Sequence, residues 1–248
     1  MNTQNIALIF AGGTGQRMNS KSIPKQFLEL HGKPIIIYTL EHFQKHSDID
    51  GIIVVCLEAW IAHLQKLLQQ YDMDKVMSIV SGGETGQLSI YNGLGEIEKL
   101  FKNGGDEVIV LIHDGVRPLI NEKLITDNIK MVMEKGSAIT TSAAIETVAI
   151  QKYHSINVIN EIIDRSDCRV AKAPQSFFLN DILSAHRLAL SEGENNIIDS
   201  ASMMMKYGYE LNMVDCEPIN IKITTPIDFY MFKAILDARE NAQLYGIE

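Results

Sequence analysis

Short runs of β-branched and aliphatic residues alternate with longer amphipathic segments, and this alternation limits the possible folds more than any other feature of the chain. The apolar runs span residues 6–10, 51–57, 76–80 and 108–113, and the amphipathic segments span 34–46, 58–71, 85–102 and 121–135. Runs with little in-and-out alternation are typical of strands buried on both faces. Strands that alternate with helices form βαβ units. The sequence therefore predicts an α/β protein with a doubly wound, mostly parallel, Rossmann-like sheet.

The pattern changes after a further predicted strand at 139–144. Residues 147–169 alternate weakly around a polar centre at 152–155, which predicts a β-hairpin arm. The remaining predicted elements are helices near 179–192 and 200–207, a strand at 210–215 and a closing helix from Pro226. No linker rich in Pro, Gly or Ser interrupts the 248 residues, and single α/β domains of about 250 residues are common. We therefore expect one domain, 1–248, with a dimerisation arm at 147–169 inside it.

Composition excludes several classes of protein. Lys and Arg number 22 against 31 Asp and Glu, a formal net charge of −9, so a general nucleic-acid-binding surface is not expected. The three cysteines, Cys56, Cys168 and Cys216, form no CxxC pair, which favours a reducing compartment. No stretch of about 18 apolar residues occurs, and the N-terminus lacks a basic, apolar leader pattern. We expect a cytoplasmic protein with neither nucleic-acid nor membrane partners.

A Gly-rich segment, AGGTGQRM at 11–18, directly follows the first predicted strand, and PKQF follows at 24–27. Glycines let backbone N–H groups approach an anion closely. A dinucleotide GxGxxG fingerprint is excluded because Met18 stands at its last glycine, and the segment lacks the Gly-Lys-Ser/Thr of a Walker loop. With the cations Arg17 and Lys25, the segment predicts a polyphosphate-binding turn. The alternative is a turn with solvated charges.

A second segment, HDGVRP at 113–118, ends the fourth predicted strand. Ligands of open α/β sheets bind at this edge, where Asp114 is suited to hold a hydrated Mg²⁺ near phosphates. The alternative for Asp114 is a helix cap or turn residue. We expect His113 to be structural, because no Ser-His-Asp or Cys-His arrangement accompanies it.

Two further segments contain candidate ligand-binding residues. In NIKITTP, Lys222 stands in the middle of an apolar strand-like Ile-Lys-Ile run and must point either to solvent at a sheet edge or to an anion. In SGGET at 81–85, with Ser89 beyond it, a glycine turn opens a helix after the third predicted strand. That turn is either a plain helix cap or part of a binding site.

Together these segments resemble the cytidylyltransferases of the 2-C-methylerythritol 4-phosphate and ribitol 5-phosphate type. The resemblance covers nearly the whole chain: AGGTGQRM, PKQF, HDGVRP, APQSF and NIKITTP follow one another in the family's order. It implies a nucleotidyltransferase fold and the transfer of a cytidylyl group from CTP to a polyol phosphate, with release of pyrophosphate. A phosphomonoester has a second pKa of about 6, so the acceptor needs no general base.

The resemblance also implies roles for individual residues. Those that hold the CTP phosphates and stabilise the transition state are Arg17, Lys25 and Lys222. Those around the nucleotide are Ala11, Gly12, Gly13, Gly15, Gly83, Glu84 and Ser89. Asp114 corresponds to the acidic residue near Mg²⁺, and Arg117 to its basic neighbour near the phosphates. Thr147 and Arg165 correspond to arm residues that reach the sugar phosphate bound by the partner subunit of a homodimer. Without such a partner, Arg165 would be a surface residue paired with Asp164 or Asp167.

The chain departs from the family pattern at two places. Thr85 and Gly86 stand where the erythritol enzymes commonly carry Glu-Arg, so that basic contact is missing. Ile219 stands where the family often has an acidic residue, which leaves Asp114 and phosphates as the metal ligands.

Two branches of the family differ in the acceptor. The segments 34–41 and 173–177 and the C-terminal end lean towards ribitol 5-phosphate and surface-polysaccharide pathways such as cell wall or capsule synthesis. The segment 89–94 looks equally like the methylerythritol 4-phosphate enzymes of isoprenoid synthesis. We favour ribitol 5-phosphate. An alternative of another class is a catalytically silent nucleotide-binding regulatory domain, from which pyrophosphate release would distinguish an enzyme.

Overall fold

The computed structural model describes residues 3–13, 23–101, 107–153 and 157–245. Its strands are β1 (Thr3–Ala11), β2 (Glu29–Leu30), β3 (Lys33–Pro34), β4 (Gly51–Cys56), β5 (Val76–Ser81), β6 (Glu107–Asp114), β7 (Ser137–Ala143), β8 (Val148–Gln151), β9 (Ile159–Ile163), β10 (Arg169–Phe178) and β11 (Met213–Asp215). Its α-helices are α1 (Ile35–Lys45), α2 (Ile61–Gln70), α3 (Gly86–Phe101), α4 (Glu122–Lys135), α5 (Leu179–Ser191), α6 (Ser200–Lys206) and α7 (Pro226–Tyr245). Short 3₁₀ turns lie at Lys25–Phe27, Glu58–Trp60 and Arg165–Asp167.

Seven strands form the central sheet in the order β11-β7-β10-β6-β1-β4-β5. β1 pairs in parallel with both β4 and β6, β4 with β5, and β11 with β7. β10 alone in this sheet runs antiparallel to its neighbours, β6 and β7. The predicted α/β class and mostly parallel sheet are therefore confirmed.

Helices cover both faces of the sheet because alternate strand residues point to opposite sides. Ala7, Ile9 and Ala11 of β1 pack on one face with apolar residues of α1, α2 and α4. Ile6 and Leu8 pack on the other face with residues of α3, α5 and α6. This is the doubly wound arrangement that the near-continuous apolar strands predict.

The last helix starts at Pro226, as predicted, but the residue that caps its N-terminus lies in its own first turn. Asp228 accepts hydrogen bonds from the backbone N–H groups of Thr224 and Thr225 at 2.9 and 2.7 Å, and from both hydroxyls at 2.9 Å. Phe232 on this helix is fully buried beside Val116 and Ile223, so α7 packs against the carboxyl edge of the sheet.

The predicted hairpin is confirmed. β8 and β9 pair antiparallel as a two-stranded sheet separate from the central one. Several large apolar side chains of the arm are exposed, among them Ile159 and Ile162 at 62% and 58%. Residues 154–156, which include the second half of the predicted polar centre at 152–155, lie outside the described residues.

The strands differ from the prediction at three places. The antiparallel strand β10 was not predicted at all. The strand expected at 210–215 is limited to Met213–Asp215. The Ile-Lys-Ile run at 221–223 is not a strand: it is an irregular segment, and the Ile223 N–H donates to the Val116 carbonyl at 2.9 Å.

None of the helices in the described part of the chain is both long and apolar enough to cross a lipid bilayer.

Candidate functional site

The carboxyl end of β1 is joined to two of the motif segments by hydrogen bonds. Gln26 is buried and its side-chain amide donates to the carbonyl of Ala11, the last residue of β1, at 2.7 Å. The N–H of Gly115 donates to the Phe10 carbonyl at 2.8 Å. The fold therefore brings the ends of the Gly-rich, PKQF and HDGVRP segments to one edge of the sheet.

Ser89 fixes the glycine turn before α3. Its hydroxyl accepts from the Gly83 N–H at 2.9 Å and donates to the Thr85 carbonyl at 2.8 Å. The same oxygen is 3.6 Å from where a Cβ on Gly12 would stand, and such a Cβ would also meet the Phe10 ring at 3.0 Å. A Cβ on Gly83 would lie 2.6 Å from the Leu88 side chain. Gly12 and the turn at Gly83 thus both approach Ser89 in a space that side chains would fill.

Of the other nucleotide candidates, Ala11 is buried at the end of β1 and Glu84 is exposed. No described residue lies within 4 Å of a Cβ built on Gly13. Gly15 and Arg17 lie outside the described residues. Lys25 is half-buried on its 3₁₀ turn, next to the Gln26 that holds the end of β1.

Asp114, at the end of β6, lies between two cations. Its Oδ1 is 2.6 Å from Lys222 Nζ and its Oδ2 is 3.2 Å from Arg117 Nε. Burial alone would raise the pKa of this carboxyl, but the charges of Lys222 and Arg117 outweigh burial and lower it to about 2. Asp114 is therefore a fixed negative charge at neutral pH, rather than the plain helix cap that sequence reasoning left open.

A hydrogen-bond chain holds these charges in place. Arg117 Nη1 donates to the carbonyl of Asn220 at 3.0 Å, and Asn220 in turn donates from Nδ2 to the Ala173 carbonyl at 2.9 Å. His113 is buried, donates from Nε2 to the Arg117 carbonyl at 3.0 Å and packs against Phe43. Burial lowers the pKa of His113 to about 3, so it is neutral. Its structural role agrees with the expectation from sequence.

Lys222 points to an anion and not to solvent at a sheet edge. Ile221 and Ile223 belong to an irregular segment, so the alternation of apolar and charged residues at 221–223 does not come from a strand. Ile223 is fully buried beside Val116, while Lys222 faces Asp114 across the edge of the sheet.

A cavity of about 270 Å³ opens beside this charged group. Asp114, Arg117 and Lys222 contribute to its lining, together with residues of α3, α5, α6 and β10. The cavity lies between the carboxyl edge of the sheet, where the motifs converge, and the helices α3, α5 and α6. Its volume leaves room for a small ligand next to the cations.

Sequence reasoning missed several lining residues. Lys172 of β10 lines the cavity, donates to the Pro218 carbonyl at 2.9 Å, and has its pKa lowered by burial. Its signal was a single lysine between alanines immediately before APQSF. Gln87 and Gln175 also line it. Amide side chains carry no pattern that predicts their partners.

Those two glutamines hold the loop between α5 and α6. Gln87 donates to the Glu194 carbonyl at 2.7 Å and accepts from the Ile197 N–H at 2.8 Å. Gln175 accepts from the Ala201 N–H at 2.9 Å. Thr85, one of the family departures, accepts from the Leu88 N–H and donates to the Asn195 carbonyl. The glycine turn is thereby connected to the cavity wall.

The arm candidates do not reach the cavity of their own chain. Thr147 and Arg165 are exposed, and neither lines the cavity. Arg165 Nη1 donates to the carbonyl of Ile145 at 3.1 Å, whereas Asp164 accepts from Ser166. The ion pair of Arg165 with Asp164 or Asp167, which sequence reasoning left open, is not the contact found here.

The described residues contain no group of three His, Cys, Asp or Glu side chains placed to hold a metal ion. Ile219, the other family departure, offers no ligand. Asp114 is a single, partly buried carboxylate beside a cavity, with its side chain 14% exposed. Mg²⁺ is commonly bound by one or two carboxylates plus substrate phosphates and water. The residues therefore fit a Mg²⁺ whose other ligands come from a bound phosphate group.

The chain is similar in sequence to several known proteins. The family model of 2-C-methyl-D-erythritol 4-phosphate cytidylyltransferase matches residues 5–238. A ribitol-5-phosphate cytidylyltransferase from Streptococcus agalactiae is 52% identical over 98% of this chain and 100% of its own. One from Vibrio parahaemolyticus is 53% identical over 98% and 100%.

A solved structure has the same fold. The 4-diphosphocytidyl-2C-methyl-D-erythritol synthase of Anaerococcus prevotii superposes with a TM-score of 0.80 at 26% identity, over 95% of this chain and 96% of that one. Since the matched residues run from β1 into the last helix, the chain belongs to the 2-C-methyl-D-erythritol 4-phosphate cytidylyltransferase family and is a nucleotidyltransferase enzyme.

Proposed function

We propose that the protein transfers a cytidylyl group from CTP to D-ribitol 5-phosphate, which forms CDP-ribitol and releases pyrophosphate. The observation that carries the choice of acceptor is the identity of 52–53% over the full length of relatives named for ribitol 5-phosphate. Relatives named for methylerythritol 4-phosphate are less similar: one from Clostridium botulinum is 36% identical, and the solved structure described above is 26% identical. The three free cysteines suit a reducing compartment, and we place the reaction in the cytoplasm.

Acceptor choice is tested by pyrophosphate release from CTP with D-ribitol 5-phosphate, 2-C-methyl-D-erythritol 4-phosphate, xylitol 5-phosphate and arabinitol 5-phosphate. We expect kcat/KM to be highest for ribitol 5-phosphate, by about tenfold or more, since a site built to bond a hydroxyl discriminates strongly against acceptors that misplace it. A higher kcat/KM with methylerythritol 4-phosphate would contradict the proposal.

The chemistry is the joining of two anions. An oxygen of the acceptor phosphate attacks the α-phosphorus of CTP in line, a P–O bond forms, and the bond to the bridging oxygen of pyrophosphate breaks. Because the acceptor is already ionised at neutral pH, no proton has to be removed. The protein's task is to position both phosphates and to neutralise the charge that develops on the leaving group.

We assign this neutralisation to Lys25, Lys222 and Arg17. Support for Lys222 comes from its position: it lies at the cavity, 2.6 Å from a carboxylate that fixes its ammonium group at the sheet edge. An ammonium held in advance needs little reorganisation when charge develops nearby. Arg117, anchored on Asn220, holds the other side of Asp114.

Lys222→Ala and Lys25→Ala should each lower kcat/KM by about 10²–10³, because removing one charge-assisted contact to a reacting phosphate typically costs about 3–4 kcal/mol. Turnover is measured by pyrophosphate release and folding by circular dichroism. Lys99→Ala is the matched control, since Lys99 is exposed on α3 and, among the described residues, forms its ion pair with Glu96. Near-normal turnover in either site variant would remove that lysine from the assignment.

We also propose that Asp114 binds Mg²⁺ together with the CTP phosphates. The ion would supply further positive charge on the leaving pyrophosphate. The position of Asp114 supports this proposal, because its carboxylate lies at the cavity with Lys222 at one oxygen and Arg117 at the other.

Asp114→Asn should raise the Mg²⁺ concentration needed for half-maximal activity by about tenfold, because an amide oxygen is a weaker ligand for this hard cation than a carboxylate. The measurement is a Mg²⁺ titration at saturating CTP and acceptor. If the variant loses activity but keeps the wild-type Mg²⁺ midpoint, Asp114 only orients Lys222 and Arg117.

We propose further that the arm pairs with a second copy of the chain in a homodimer and that Arg165 and Thr147 serve the partner's site. An isolated two-stranded hairpin is marginally stable in water, and this one exposes Ile159 and Ile162. Two-fold symmetry would place each arm on the other subunit. The guanidinium of Arg165 would then form a bidentate hydrogen bond with the acceptor phosphate.

Mixing Lys25→Ala with Arg165→Ala, each inactive alone, should restore activity once subunits exchange. Half of the sites in a mixed dimer then combine an intact Lys25 with the partner's intact arm. A mixture of Lys25→Ala with Lys222→Ala is the control and should stay inactive, because both residues serve the site of their own chain. A monomer in sedimentation at the assay concentration would refute the homodimer.

A further inference from the structure

His186 on α5 is a buried histidine whose ring nitrogens have no hydrogen-bond partner. Its exposure is 1%, and among the described residues neither Nδ1 nor Nε2 is bonded. The buried side-chain polar atoms of proteins are in their large majority hydrogen-bonded, so an imidazole with both nitrogens unpaired calls for a partner outside the chain. His113 differs, because its Nε2 already donates to the Arg117 carbonyl.

The unpaired imidazole belongs to the wall of the cavity described above. His186 lines that cavity together with Ile90 of α3 and Met203 of α6, whereas Asp114 and Lys222 supply its charged lining. The apolar neighbours offer no hydrogen bonds. The same lining includes His113, Gln87 and Gln175, whose side chains already hydrogen-bond within the chain. A ligand that fills the cavity can therefore meet cations with one group and the unpaired His186 ring with another.

The properties of the ring select the kind of group it can bind. Burial lowers the pKa of His186 to about 4, so the imidazole is neutral at physiological pH. A neutral imidazole offers one donor and one acceptor. A hydroxyl group also donates and accepts, while a phosphate is better matched to Lys222 and Arg117.

We propose that His186 is an acceptor-binding residue that hydrogen-bonds a hydroxyl of the polyol chain. The assignment rests on the proposed function, because it takes the acceptor to be a polyol phosphate. The phosphate end of the acceptor then lies at the charged edge of the cavity, within reach of the partner's Arg165, and His186 selects the polyol by binding one of its hydroxyls.

The competing explanation is packing. The His186 ring stacks on Tyr91 of α3 with centroids 5.7 Å apart and planes 21° from parallel. A residue that served only this contact could be replaced by another flat ring. His186→Phe therefore separates the two roles, because it keeps a ring for the stack and removes both nitrogens.

In the experiment, His186→Phe is compared with wild type by steady-state kinetics at varied acceptor and at varied CTP. We expect KM for ribitol 5-phosphate to rise about tenfold, the loss typical of one buried hydrogen bond, with KM for CTP unchanged. His186→Gln, whose amide also donates and accepts, should recover part of the affinity and serves if the Phe variant does not fold.

Monodeoxy derivatives of ribitol 5-phosphate identify the hydroxyl. For the derivative that lacks it, wild type and His186→Phe should have the same KM, because there is no longer a bond to lose. Arg187→Gln is the matched control: Arg187 is the next residue on α5 and pairs with Glu98 of α3 at 2.6 Å, so it disturbs the same helix contact outside the cavity.

The proposal is overturned if His186→Phe leaves KM for the acceptor unchanged, if KM for CTP rises by the same factor, or if the penalty is the same for every deoxy derivative. If wild type does not use ribitol 5-phosphate, the proposed acceptor is wrong. The same comparison then decides the role of His186 with whichever polyol phosphate wild type does use.

Discussion

The carboxylate of Asp114, held between Arg117 and Lys222, joins parts of the chain that are more than a hundred residues apart. A buried carboxylate without partners would be destabilising, so the loop after β6 and the irregular segment before α7 have to meet there. That meeting fixes the hydrogen bonds from Arg117 to Asn220 and from Asn220 to Ala173. One wall of the cavity follows from this single group of charges.

Much of the fold could be predicted because its strands are apolar on both faces. The residues of β1 divide alternately between two helical layers, and such a pattern is visible in sequence. β10 was missed because its buried part is polar: Ser176 donates to Asn128 at 2.9 Å and Gln175 binds the start of α6. A strand stabilised by such bonds has no hydrophobic period to detect. The opposite error, at Ile221 and Ile223, arose where β-branched residues alternate around a lysine that binds a buried carboxylate.

The site was predicted as far as its residues stand in short motifs at strand ends. Asp114 was assigned to Mg²⁺ and Lys222 to the CTP phosphates, and the structure places these two side chains in contact. The glycine turns and Ser89 were also brought together. Residues whose role depends on long-range contacts were not predicted. Gln87 is recognised only from its hydrogen bond to the loop between α5 and α6, and His186 only from its unpaired ring nitrogens. Neither property belongs to a residue type or a spacing.

β10 connects the arm to the core of the sheet and contributes a residue to the cavity wall on the way. The strand leaves the arm at Arg169, passes Lys172 in the cavity wall and ends in the core at the buried Phe177. Its first residues are exposed and its later ones are clamped between β6 and β7. The ladder to β7 shifts register between Ala171 and Gln175, so Lys172 stands where the regular pairing of the strand is interrupted. Bulges of this kind re-aim a side chain. The direction of this cation in the cavity wall therefore depends on the irregular part of β10 and not on its paired ends.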